Sequence, residues 1–154
     1  MSTGETPTTR GKQPWLNRAM SRLVRSRFSR LVDRSILLLT VFGRRTGRPY
    51  TFPVQYVQHG DVLWVYIGSS EDKTWWRNLE QEARVQVLLR GRERTGRGVA
   101  YTYDRQPGIV ADGLRRYIHR FPSTAKRLGI PQGDNEALAH AAARSAVVRV
   151  HLES

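Results

Sequence analysis

Arg44, Arg45 and Arg48 stand in one tight run, Gly43-Arg44-Arg45-Thr46-Gly47-Arg48-Pro49, between two strand-like segments. A guanidinium group meets phosphate or carboxylate oxygens in a fixed two-point geometry that an ammonium cannot reproduce. Three of them on one turn suit an extended anion carrying more than one charge. About twenty residues on, Gly68-Ser69-Ser70 ends a strand, and Lys73-Thr74-Trp75-Trp76-Arg77-Asn78-Leu79 leads into a short helix. Small residues there let backbone N–H groups open toward a ligand rich in carbonyl or anionic oxygens. Together the two segments describe a site that grips a long ligand with a charged tail and a polar ring.

Other chemistries find little support. His59, His119, His140 and His151 show no ligand spacing and fall in unrelated elements, so they read as surface or satisfied histidines. Ser69 and Ser70 lack the Gly-x-Ser-x-Gly elbow of a serine nucleophile. Asp33 and Asp61 have no carboxylate partner for acid/base work or a metal. Gly43-x-x-x-Gly47 is not followed by the Lys-Ser/Thr of a phosphate-binding loop. The chain has no cysteine, which removes disulfides, thiolate zinc sites and thiol catalysis together. No side chain is expected to act as catalytic acid, base or nucleophile, or to hold a metal. Reactive chemistry, if the chain is an enzyme, belongs to a bound cofactor.

The net charge of +13 over 154 residues calls for an anionic partner: nucleic acid, a membrane surface or a charged cofactor. The sequence shows no helix-turn-helix spacing, no zinc-finger ligands and no aromatic RNA-binding strand, so charge alone speaks for nucleic acid and that reading is disfavoured. No apolar run approaches the roughly 18 residues that span a bilayer. Met1 to Arg10 is rich in Ser and Thr and has no hydrophobic signal region, so residues 1–12 are expected to form a disordered tail. Residues 13–154 are expected to form a single domain, cytosolic, as a monomer or homodimer.

The elements that must position these residues follow from periodicity. Trp15, Leu16, Met20, Leu23, Val24, Phe28, Leu31 and Val32 recur at helical spacing with arginines largely on other faces. That helix is expected to lid the domain or to touch an anionic membrane surface. Strands are expected over 35–42, 50–58, 62–67, 84–90, 92–103 and 145–152. Phe52, Val54 and Tyr56 share one face of the second, where Pro53 demands an edge or a bulge. His59-Gly60-Asp61 reads as a hairpin turn, and Tyr66 and Tyr101 as cross-strand packing residues. A short helix is expected over 74–81, helical structure from Pro107 to Phe121-Pro122, and a helix over 134–143 capped by Asp134. The class is therefore α+β: a six-stranded antiparallel barrel with an N-terminal helix and a helical segment before the last strand.

The order Leu39-Thr40-x-x-Gly43-Arg44-Arg45-Thr46-Gly47-Arg48-Pro49, Pro53, His59-Gly60-Asp61, Trp75-Trp76-Arg77-Asn78-Leu79 and Arg84-Val85-x-Val87 resembles the deazaflavin-dependent nitroreductase family of split β-barrel proteins. The resemblance implies an oxidoreductase that uses reduced coenzyme F-420, whose tail carries a phosphate and oligoglutamate. It implies that Arg44, Arg45 and Arg48, with Thr46, hold that tail. It sets Pro53, Val54 and Gln55 against the ring, and Gly68, Ser69, Ser70, Lys73, Trp76 and Asn78 around the head group. Trp15, Tyr117 and Phe121 become candidates for the acceptor pocket. The implied acceptor is a quinone, nitroaromatic or activated alkene. Relatives of the same fold bind FMN, haem or fatty acids, so an FMN-dependent reductase or a non-catalytic binding protein stays open at this stage.

Overall fold

The computed structural model describes residues 35–154. The expected tail over 1–12 and the expected helix from Trp15 to Val32, Trp15 included, lie outside the described residues. Strands come first: β1 (Ile36–Phe42), β2 (Pro49–Gln55), β3 (Val57–His59) and β4 (Val62–Ile67). A single 3-10 turn, Trp75–Leu79, leads to β5 (Ala83–Leu89) and β6 (Arg92–Thr102). Then come the helices α1 (Pro107–Arg120), α2 (Pro122–Arg127) and α3 (Asn135–Ala142), before β7 (Ala146–Leu152) closes the domain.

The strands form one sheet in the order β2-β1-β5-β6-β7-β4-β3. Every pairing is antiparallel. The two edge strands, β2 and β3, are consecutive in the chain and separated only by Tyr56. A sheet whose opposite edges are joined by one residue has to curl until those edges meet, as in a closing barrel. The architecture is thus α+β with a curled antiparallel half-barrel, and it has seven strands where the sequence suggested six. The difference lies in the run 50–58. β2 stays on β1 as far as the Gln55–Ile36 pair, and Val57 to His59 pair instead with β4. Between them Tyr56 is buried and donates its N–H to the Ser35 carbonyl at 3.0 Å. Alternation of side chains persists through this switch, so the pattern alone reads as one strand.

Period-two alternation builds the interior. Leu37, Leu39 and Val41 of β1, Leu63, Val65 and Ile67 of β4, and Val85, Val87 and Leu89 of β5 meet Val148 and Val150 of β7 inside the curl. Each such fully buried side chain is worth about 1.5–3 kcal/mol. The outer face at Trp64 and Val147 is covered by Val110 and Leu114 of α1 and Leu138 and Ala142 of α3. Gly113 permits that contact: a β-carbon there would lie 2.7 Å from Val147 Cγ2. α1 and α2 each begin on a proline, where the missing N–H leaves no helix bond unmade. α2 is a helix that periodicity did not indicate. Asp134 caps α3, its Oδ1 accepting from the Ala137 N–H at 2.9 Å. No helix among the described residues is long and apolar enough to cross a membrane.

Candidate functional site

The turn between β1 and β2 is fastened from within. Gly43 N–H donates to the Arg48 carbonyl at 2.8 Å, and Gly47 N–H returns to the Gly43 carbonyl at 2.7 Å. Gly47 holds a φ of 69°, a left-handed conformation that favours glycine. The Thr46 hydroxyl accepts from the Arg48 N–H at 3.3 Å, so it serves the turn itself. All three arginines are exposed. Arg44 Nη1 lies 3.5 Å from Glu80 Oε2, a surface pair of small worth. The side chains of Arg45 and Arg48 have no partner among the described residues, which leaves two cations available to an anion.

After β4 the chain turns through Gly68, Ser69 and Ser70. Ser69 takes a φ of 52°, a conformation that costs a non-glycine residue on the order of 1 kcal/mol and must be held by its surroundings. Ser69 O accepts from the Asp72 N–H at 3.0 Å. Ser70 donates both its N–H and its hydroxyl to the Arg144 carbonyl, each at 3.2 Å. The buried Trp76 donates its indole N–H to the Ser70 carbonyl at 3.0 Å. Asn78 is bonded to the backbones of both Arg44 and Trp75. These bonds fasten the loop, and the strained Ser69 is the exposed residue among Gly68, Ser69 and Ser70.

A cavity of about 670 Å³ opens beside this loop. Phe52, Pro53, Val54 and Gln55 of β2 form one wall, and the chain from Val65 to Ser69 forms another. Lys73, Trp75, Tyr117, Arg127 and Leu128 complete it. Phe52 and Trp75 pack with ring centroids 4.7 Å apart. The lining holds two cations and no carboxylate, and neither Lys73 nor Arg127 has a carboxylate partner or a side-chain hydrogen bond among the described residues. It is thus an electropositive space with apolar faces. No group of side chains that could hold a metal ion occurs among the described residues.

Aromatic rings stand on the other side. The Tyr117 ring lies 5.4 Å from Tyr66 and 5.6 Å from Phe121, and its hydroxyl donates to the Gln55 carbonyl. Burial pushes the Tyr117 phenol well above its ordinary range. Burial raises Tyr66 as well, partly offset by its hydrogen bond with Ser145 and by the charge of Arg127. Both phenols are neutral at physiological pH.

Of the residues expected at the ligand, Pro53, Val54, Gln55, Gly68, Ser69, Lys73 and Tyr117 line this one cavity. Arg44, Arg45, Thr46 and Arg48 are in the turn outside the lining; Ser70, Trp76 and Asn78 fasten the loop and the 3-10 turn; Phe121 packs at a tilt against Tyr117. The structure adds Phe52, Tyr66, Trp75 and Arg127 to the wall. Phe52 could have been found from its alternation with Val54. Tyr66 packs across the sheet, opposite Val147 as is Tyr101, and also faces the cavity. Arg127 belongs to α2 and carries no local signal.

The geometry suits a planar ligand with a polar edge whose anionic extension reaches the basic turn, since that turn and the cavity wall are the two ends of the same strand. No curated protein sequence matches the chain. Among solved structures, the haem storage protein HutZ of Vibrio cholerae is similar at 17% identity and a TM-score of 0.51. That match covers 92% of this chain and 90% of HutZ. An F420-H2-dependent reductase, FDR-A, is 18% identical with a TM-score of 0.49, over 77% of this chain and 95% of its own. At these identities the HutZ likeness establishes the fold alone. A sequence profile of the F420H(2)-dependent quinone reductase family matches residues 15–115. The basic turn, the β2 wall and the strained Ser69 loop all fall inside that stretch, and the chain belongs to the F420H(2)-dependent quinone reductase family.

Proposed function

We propose that this protein is an oxidoreductase that moves a hydride from reduced coenzyme F-420 to a small electrophilic acceptor, a quinone foremost and otherwise a nitroaromatic or activated alkene. The observation that carries the reading is the continuity of β2, which joins a cavity of about 670 Å³ to a turn with two arginines; among the described residues the cavity lining holds no carboxylate and Arg45 and Arg48 have no partner. The cavity volume falls in the usual range for cofactor sites, roughly 300–1,000 Å³. Phe52, Val54 and Trp75 offer flat apolar surface to a ring, and Lys73 and Arg127 offer charge to its polar edge. Arg45 and Arg48 would hold the phosphate and carboxylates of the tail.

When bound, the reduced deazaflavin supplies a hydride; a quinone takes that hydride and one proton from water to become the hydroquinone. The protein's part is placement and exclusion of water. Ser69, fixed by its neighbours in a left-handed conformation, marks one end of the ring's bed, and Pro53 to Gln55 mark its side. Tyr66 and Tyr117 line the cavity with rings that cannot swing freely, because each is tied by a hydroxyl, and Phe121 packs at a tilt against Tyr117. Lys73 and Arg127 stabilise negative charge at the polar rim.

The test is a titration of the purified protein with F-420, FMN and haem, followed by mixing with the reduced deazaflavin and a water-soluble quinone. Saturable F-420 binding and quinone-dependent oxidation of the reduced deazaflavin are expected. Tighter binding of haem, with no oxidation on adding quinone, would reassign the chain to ligand storage.

A further inference from the structure

A second cavity of about 520 Å³ adjoins the first, and Tyr66, Gly68, Ser69 and Leu128 line both. Its other side is α3 and the turn after it. Ala137 and Ala141, one helical turn apart, give it a shallow apolar floor. Glu136, His140 and Arg144 rim it. The remaining polar groups are already engaged. Asp134 caps α3, and the Ser145 hydroxyl donates to the Ala141 carbonyl at 2.9 Å. That leaves the Tyr66 hydroxyl to donate to Ser145 at 2.6 Å, which fixes its ring as a partition between the two spaces. The side chains of Glu136, His140 and Arg144 have no partner among the described residues.

We propose that this second cavity is the acceptor subsite, and that it takes a planar, uncharged acceptor with carbonyl groups at opposite edges. The inference rests on the oxidoreductase reading above and deepens it. A flat ring would lie on Ala137 and Ala141. One carbonyl oxygen, which can only accept, would take hydrogen bonds from Arg144 or His140. The opposite edge would then meet the first cavity at Ser69, where the two linings join. As the acceptor gains the hydride electron pair, its oxygen grows negative, and a guanidinium donor strengthens its hold at that moment. The proton that completes the reduced acceptor comes from water. Glu136 disfavours an anionic acceptor by like charge.

The experiment uses the full chain and 2-methyl-1,4-naphthoquinone as probe, without cofactor, observing alanine methyl resonances. The quinone is expected to shift the signals of Ala137 and Ala141. Arg144→Ala should weaken its binding by about fivefold, the loss of one hydrogen bond. Ala141→Leu, which fills the floor, should abolish it, and both variants should leave F-420 affinity unchanged. Arg144 is exposed, so its variant reports even if the filled variant does not fold. Quinone binding that leaves both methyls unmoved, or that survives both substitutions, overturns the proposal. So does an equal loss of F-420 affinity, which would make the two cavities a single site. If the protein ignores F-420 while the methyls still shift, the cofactor reading fails and the subsite stands. If F-420 binds and the quinone does not, this inference alone fails.

Discussion

The backbone N–H of Arg44 donates to Oδ1 of Asn78 at 3.2 Å, across 34 residues of chain. The other end of the same amide donates from Nδ2 to the Trp75 carbonyl at 3.0 Å. Asn78 therefore locks the basic turn to the 3-10 turn, and through Trp75 and Phe52 to the cavity wall. Under the proposed function, its contribution would be to hold the basic turn and the cavity wall at a fixed separation for the two ends of the ligand.

Asn78→Ala should accordingly separate two effects. Losing these bonds costs about 1 kcal/mol each, so the midpoint of thermal unfolding should fall by a few degrees, at ~2–4 °C per kcal/mol for a chain of this size. Affinity for intact F-420 should fall several-fold, whereas a deazaflavin lacking the tail should bind as before. Titration of both ligands decides it. An equal loss for the tail-less ligand would mean that Asn78 touches the ring.

Arg45 and Arg48 are exposed and have no partner among the described residues, so replacing both by Ala should leave the unfolding midpoint nearly unchanged. Each charge-assisted contact to the tail is worth about 1.5–3 kcal/mol, so the double variant should bind F-420 at least about tenfold more weakly. The deficit should shrink as salt rises, because exposed contacts are screened. Unchanged affinity at low salt would leave the turn as ordinary solvated surface.

The basic turn and the Ser69 loop were legible because each is local: glycines and small residues of a given spacing specify a turn wherever they occur. The strands were legible for the same reason, from alternation within each. What escaped was non-local. The single run 50–58 breaks at Tyr56 because Val57 finds a partner in Trp64, and alternation does not say which strand a residue will pair with. Trp75 and Trp76 are adjacent, yet one lines the cavity and the other is buried beneath the loop. That choice is set by a hydrogen bond to Ser70, not by residue type. Arg127 reaches the cavity only because Pro122 restarts the chain as α2.

Coenzyme F-420 should bind more tightly than FMN. FMN carries a single phosphate, and one arginine satisfies much of it, whereas a phosphate with several carboxylates can engage Arg45, Arg48 and Arg44, the last in exchange for its exposed pairing with Glu80. A side-by-side titration at one salt concentration measures the ratio. FMN binding as tightly as F-420 would reverse the ranking.

The Tyr117 phenol makes alkaline stability a probe of the cavity wall. Its ordinary value is 10.0, and burial raises it in the folded chain. Below that pH both folded and unfolded chains keep the proton, so the stability tied to it is fully present. Above it the unfolded chain ionises while the folded chain resists, and stability falls as pH rises. Tyr66 is shifted in the same direction and adds to the slope. Tyr117→Phe should lose about 1 kcal/mol at neutral pH with the bond to the Gln55 carbonyl, yet decline less steeply between about pH 9 and 11. Urea unfolding at the two pH values, with phenolate absorbance followed in parallel, tests both halves. The phenolate of Tyr117 should develop only as the chain unfolds. A variant with the same alkaline slope as the parent would show that the Tyr117 hydroxyl reaches solvent, and the cavity would then be open on its aromatic side.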